Sequence, residues 1–264
     1  AVVGAPLAGN GAGAVYVFER SGENWSEQTR LEVSSGDANG SFGFSLALSG
    51  DFLLIGAPRA EDEAGVAYIF RRAGGSWAED QKLAPNDAVP GDNFGFSVSI
   101  SGSNAVVGAP FAADAIGLIY VFQKGGVAGE GGAWVQVAAL TPDEEGAFAF
   151  AGVAVAIENR TLVAGTLNEA AYVFKKSGVA WSQTARLAAK DGSEAVNFGQ
   201  ALALGGNTIV VGAPLDGQGA GAIYLFERAT AWEEVRKFTP SGEGAIAFGS
   251  SISLQGDRIV SGAP

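Results

Sequence analysis

The sequence predicts an all-β protein, a β-propeller of about five four-stranded blades, on three observations. Every Tyr (16, 68, 120, 172 and 224) stands 52 residues after the one before, and one Trp (25, 77, 134, 181 and 232) follows each. Each period holds four short apolar runs separated by Gly, Asp, Asn, Ser and Pro. Helix signals are almost absent. Four strands in roughly 50 residues are the size of one propeller blade. Accidental periodicity in a β-sandwich would not repeat a four-part pattern five times.

The first run follows Phe-Gly, as in Phe42-Gly43-Phe44-Ser45-Leu46-Ala47-Leu48, and recurs from Phe94, Phe198 and Phe248 and, altered, from Phe148-Ala149. Large and small residues alternate with period two, the signal of a strand. The second run is β-branched and ends in Gly-Ala-Pro, at Gly4, Gly56, Gly108 and Gly212. A continuous apolar run reads as a strand buried on both faces. Pro ends its ladder, and Gly permits a close backbone approach. The third run is Gly-x-x-Tyr-x-Phe, which places Tyr and Phe on one face of the sheet. The fourth opens at Trp, closes at Leu31, Leu83, Leu140, Leu187 or Phe238, and is polar between, as an outer strand should be.

Phe-Gly followed by Gly-Ala-Pro resembles the FG-GAP repeat of integrin α-subunit-like β-propellers, and the resemblance covers the whole chain. It implies blades at about 1–41, 42–93, 94–147, 148–197 and 198–247, with 248–264 closing the ring or starting another blade. A slice of a six- or seven-bladed propeller is the alternative. The fourth copy is degenerate, with Gly165-Thr166 in place of Gly-Ala-Pro. Calcium-binding members carry a D-x-D-x-D-G loop between the first and second runs. Here those links are short turns such as Ser49-Gly50-Asp51 and Gly205-Gly206-Asn207. They offer too few oxygens for calcium, so no cofactor is expected, with calcium held by other carboxylate and carbonyl oxygens as the alternative.

Composition narrows the chemistry. The 264 residues include no His, Cys or Met. That excludes an imidazole base, a thiolate nucleophile, a disulfide framework and a zinc site. A net charge of −12 repels a phosphate backbone, so nucleic acid is not an expected partner. No apolar run is long enough for a transmembrane helix. Carboxylate pairs alone could hydrolyse glycosides, but nothing holds two at a defined separation, and the chain is read as not an enzyme.

Run order decides which loops share an end of the propeller. Links from the fourth run to the first and from the second to the third lie at one end, which receives 15 of the 28 acids and only Arg59 and Lys190 as bases. By the resemblance, this is also the end where ligands of integrin-like propellers approach. The candidate ligand-binding residues are Glu61, Asp62, Glu63, Asp114, Asp143, Glu144 and Asp216. The opposite end carries nine of the 16 bases. Such a field concentrates cations and steers a basic partner. The sequons Asn24, Asn39 and Asn159 are candidate glycosylation sites. The expected function is a non-catalytic extracellular or cell-surface binding or adhesion module presenting an acidic loop face to a protein, glycan or cation. The alternative is a structural repeat that assembles with itself through its spare terminal strand.

Overall fold

A computed structural model of the chain describes residues 1–33, 39–126, 132–143, 149–191, 197–241 and 246–264. It contains six antiparallel sheets, four of them with four strands each in sequence order. The first sheet holds β1 (Val2–Ala5), β2 (Ala14–Ser21) and β3 (Asn24–Leu31). The second holds β4 (Ser45–Ser49), β5 (Phe52–Ala57), β6 (Val66–Ala73) and β7 (Ser76–Leu83). The third holds β8 (Ser97–Ser101), β9 (Asn104–Ala109), β10 (Leu118–Lys124) and β11 (Trp134–Leu140). The fourth holds β12 (Val155–Glu158), β13 (Thr161–Gly165), β14 (Ala171–Ser177) and β15 (Ala180–Leu187). The fifth holds β16 (Ala201–Gly205), β17 (Thr208–Ala213), β18 (Ala222–Arg228) and β19 (Trp232–Phe238). The last pairs β20 (Ser251–Gln255) with β21 (Arg258–Gly262).

Each sheet is one blade of a β-propeller, and consecutive blades meet along their first strands: β4 packs on β8, β8 on β12, β12 on β16 and β16 on β20. Among the described residues, β20 and β21 pair only with each other, and the first and last sheets stay separate. The second-run strands β5, β9, β13 and β17 are buried on both faces, β1 and β21 at the two chain ends are partly exposed, and the fourth-run strands alternate toward solvent. The core lies between blades. One cluster joins Leu54 and Ile69 of the second blade to Phe94, Val107 and Tyr120 of the third.

The two motif glycines form the joint between blades. A Cβ on Gly56 would lie 2.0 Å from the carbonyl oxygen of Gly95, the Phe-Gly glycine of the next blade. Gly4 against Gly43 and Gly108 against Gly152 repeat that contact. The Phe before the glycine turns back into its own blade. Phe94 packs edge-on against Tyr120 and Phe122 at 5.5 and 5.9 Å, and Phe42 and Phe198 sit in the same way on their Tyr-x-Phe pairs. Each such aromatic pair adds about 0.5–1.5 kcal/mol beyond the buried area.

These contacts correct one sequence expectation. In the fourth blade the Phe-Gly element is Ala151-Gly152 and not Phe148-Ala149, because Gly152 abuts Gly108 and Ala151 backs Gly117 as Phe94 backs Gly65. Phe148 lies outside the described residues. The blade keeps its glycine joint but loses the Phe and the Ala-Pro. The Thr166 hydroxyl replaces the Ala-Pro corner, donating to the Ala170 carbonyl at 2.7 Å.

Candidate functional site

The links from second to third strands share a backbone. Residues 9–11, 61–63, 113–115 and 217–219 each form a turn of three consecutive left-handed residues. Gly occupies four of those twelve positions, namely Gly9, Gly11, Gly217 and Gly219, which adopt this region without a Cβ penalty. Glu61, Asp62 and Glu63, and Ala113, Asp114 and Ala115, hold it with side chains, at about 1–2 kcal/mol per residue. The turns project their middle residue, Asp62 or Asp114, into solvent.

Against these turns lies the face of the Tyr. The strand register places one fourth-strand residue opposite each Tyr: Arg30, Lys82, Ala139, Arg186 and Lys237. Four blades thus carry a base at this place and the third carries a methyl group. In the second and fifth blades the base neutralises acids of the adjoining loops. Lys82 is ion-paired with Glu61, and Arg30 lies over the Tyr16 ring at 5.8 Å. Lys237 holds Asp191 at 2.7 Å and Asp216 at 2.8 Å and caps the Tyr224 ring at 5.0 Å.

Asp216, one of the expected ligand-binding residues, is therefore an internal group. It is 4% exposed, accepts the Tyr224 hydroxyl at 2.6 Å and caps the Gly217 amide at 2.7 Å. Burial alone would raise its pKa, but the hydrogen bonds from Lys237 and Tyr224 outweigh it and hold the carboxyl below the ordinary aspartate value. Burial also opposes the charge on Lys237, and its two aspartates reverse that, raising its pKa.

The third blade differs. A cleft of about 480 Å³ is lined by Asp87, Asp92, Asp114, Tyr120, Phe111 and the 89–91 loop. Tyr120 donates to Asp87 at 3.0 Å, and its own ionisation is pushed up by burial and then by Asp87. Asp92 is 9% exposed and accepts the Val89 amide at 3.0 Å. Burial raises its pKa; the Val89 hydrogen bond lowers it by less, and the Asp87 charge adds to the rise. Among the described residues no lysine or arginine is ion-paired with Asp87, Asp92 or Asp114. Nor do three acids there converge where a metal ion would sit. Its lining carries three carboxylates and no lysine or arginine.

The remaining expected residues are spread around the same end. Glu61, Asp62 and Glu63 stand in the second blade's turn, where the Glu63 carbonyl accepts the Asn93 amide at 2.8 Å. Asp143 is exposed, and its amide is capped by Gln183 at 3.1 Å; Glu144 lies outside the described residues. The structure thus brings only Asp114 of the expected set into the cleft and adds Asp87, Asp92, Tyr120 and Phe111. Asn24, Asn39 and Asn159 are all exposed, and Asn159 is the left-handed first residue of the β12–β13 turn.

Comparison with known proteins agrees with the architecture. A family model described as FG-GAP repeat matches residues 25–70, 77–122 and 181–226, just over half of the chain. The fourth blade, whose motif is altered, supplies only the start of the third match, on β15. The chain is 34% identical to integrin alpha-7 of Rattus norvegicus over 137 residues, 45% of this chain and 12% of that protein. It is likewise 34% identical to integrin alpha-7 of Mus musculus over 140 residues, 45% and 11% of the two lengths. The chain thus spans a small part of these relatives. Among solved structures, the crystal structure of the computationally designed Ika8 protein superposes with a TM-score of 0.54. That match has 17% identity and covers 83% of this chain and 54% of the other, a likeness of fold.

Proposed function

The chain belongs to the FG-GAP repeat family, and from that premise we propose that it is a non-catalytic adhesion or binding module of the cell surface or extracellular space. Its working end is the acidic loop face, and the cleft of Asp87, Asp92 and Asp114 receives a positively charged group of a protein ligand. One observation carries this reading: Ala139 stands where the other four blades place an arginine or lysine, which in the second and fifth blades pairs with the acids of the adjoining loops. A lysine or arginine side chain from outside would supply the missing charge, with the half-exposed ring of Phe111 beside its methylene stem. The partial identity to integrin alpha-7 supports the adhesion class.

Calorimetric titration with short lysine-containing peptides tests the reading. Binding should weaken as salt rises and fall at least about tenfold in Asp87→Asn combined with Asp114→Asn, the loss expected when a charge-assisted hydrogen bond is removed. Unchanged affinity in the double variant would refute it.

A further inference from the structure

The cleft has an apolar neighbour that the acids do not explain. The half-exposed rings of Phe44, Phe96, Phe111 and Phe150 form a continuous row across the second, third and fourth blades. Their centroids are 5.1 Å apart for Phe44–Phe96, 6.4 Å for Phe96–Phe111 and 5.5 Å for Phe111–Phe150. Phe44 and Phe111 are 45% and 44% exposed. Rings in solvent are not required by the scaffold here. The amide that follows each motif glycine marks one place in all five copies, and the residues there are Phe44, Phe96, Val153, Gln200 and Ser250. Gln200 and Ser250 show that the place tolerates polar side chains. The two Phe, with Phe111 and Phe150, are therefore concentrated around the blade that lacks its base.

Phe111 belongs to both features, since it lines the acidic cleft and touches Phe96. We propose that the row and the cleft form one bipartite surface, which takes an extended protein segment carrying a basic residue with an apolar side chain two positions away. This deepens the proposed function and rests on it. The spacing follows from geometry. Phe96 lies 6.4 Å beyond Phe111, and an extended chain advances about 3.3 Å per residue. The chemistry follows from the rings. Neighbouring rings are inclined by 50° to 76°, so they form a corrugated trough rather than one flat platform for a sugar. Phe also brings no hydroxyl or N–H for a sugar's polar edge. A branched aliphatic side chain fits such a trough, and the basic residue complements the acids beside it.

The test uses two synthetic peptides, one with Lys-Ser-Leu at its centre and the other with Lys-Ser-Ser, titrated into the whole chain. A second protein carries Phe44→Gln with Phe96→Gln, the residue that Gln200 shows is accommodated. The parent chain should bind the leucine peptide about tenfold more tightly, the effect of placing a few methylene groups in an apolar site. In the double variant that preference should vanish while the weaker lysine-dependent binding remains. Equal binding of both peptides by the parent chain, or a preference that survives in the variant, would overturn the bipartite surface and leave the cleft standing. Failure of both peptides to bind the parent chain would overturn the cleft and, with it, this extension. A lysine-free oligosaccharide whose binding is lost in the variant would assign the row to sugars and overturn the proposal.

Discussion

The third and fifth blades begin from the same plan and end as opposites. Both place an aspartate from the preceding loop beside a buried Tyr, Asp87 with Tyr120 and Asp191 near Tyr224. In the fifth, Lys237 bridges Asp191 and Asp216, and the cluster closes on itself. In the third, Ala139 takes the place of Lys237 and Ala112 that of Asp216, and the acids remain turned to a cleft. A closed cluster stabilises the fold, whereas an open one is kept at some cost in like-charge repulsion. On the proposed reading, what differs between copies is the part available for recognition.

The largest effect expected from disturbing this contrast is in the fifth blade. Lys237→Ala leaves Asp216 buried with a charge and no cation, which should destabilise the chain by about 3 kcal/mol. For a domain of this length that is a fall in Tm of roughly 6–12 °C by calorimetry. If Tm holds, the cluster is ornamental and the contrast fails. A smaller change of opposite sign is expected from Ala113→Gly in the third blade. Ala113 sits at φ 53°, where the first and fifth blades have Gly9 and Gly217. Relief of the left-handed strain, less the entropy of Gly in the unfolded chain, should stabilise by about 0.5–1 kcal/mol.

Acid titration separates the two clusters by sign. The lowered pKa of Asp216 gives stability that is present above the unfolded aspartate value and is lost as pH falls through the lower, folded value. The raised pKa of Asp92 acts the other way: its neutral form favours the fold at low pH, and that stability is lost as pH rises through the raised value. Asp92→Asn, which can still accept the Val89 amide, should therefore raise Tm at pH 7 and leave it unchanged near pH 3. A Tm gain of equal size at both pH values would remove the charge explanation. The smallest stability effect is expected from Ala139→Lys. An added surface pair is worth at most about 1 kcal/mol, and its consequence belongs to binding.

The scaffold was legible because the residues that build it recur in every blade. Tyr, Phe-Gly and Gly-Ala-Pro occupy positions where a ring or a missing Cβ is required, so the copies announce one another. The exceptions were harder. Phe148-Ala149 looks like a damaged Phe-Gly, yet the glycine joint had moved to Gly152, a position that only the approach to Gly108 reveals. The absent base is hidden when the copies are aligned on Tyr, and shows when they are aligned on Trp, since Arg30, Lys82, Ala139, Arg186 and Lys237 each stand five residues after theirs. Arg30, Lys82 and Arg186 each lie 14 residues after their Tyr, but the longer link between β10 and β11 moves Ala139 to 19. Counting from the Tyr at a fixed period therefore does not set Ala139 beside Lys82, whereas counting from the Trp does. Asp216 misled for a different reason: charge density in a loop does not say which carboxylate turns inward, and Asp216 turns to Tyr224.

Ala139→Lys is the most direct test of the central claim, because it adds to the third blade the one group that the other four already have. Titrated with a lysine-containing peptide, the variant should keep its fold and Tm while losing at least about tenfold in affinity, its own ammonium now competing for Asp87 and Asp114. Affinity equal to that of the parent chain, in a variant of equal stability, would contradict the account and place recognition elsewhere on the propeller.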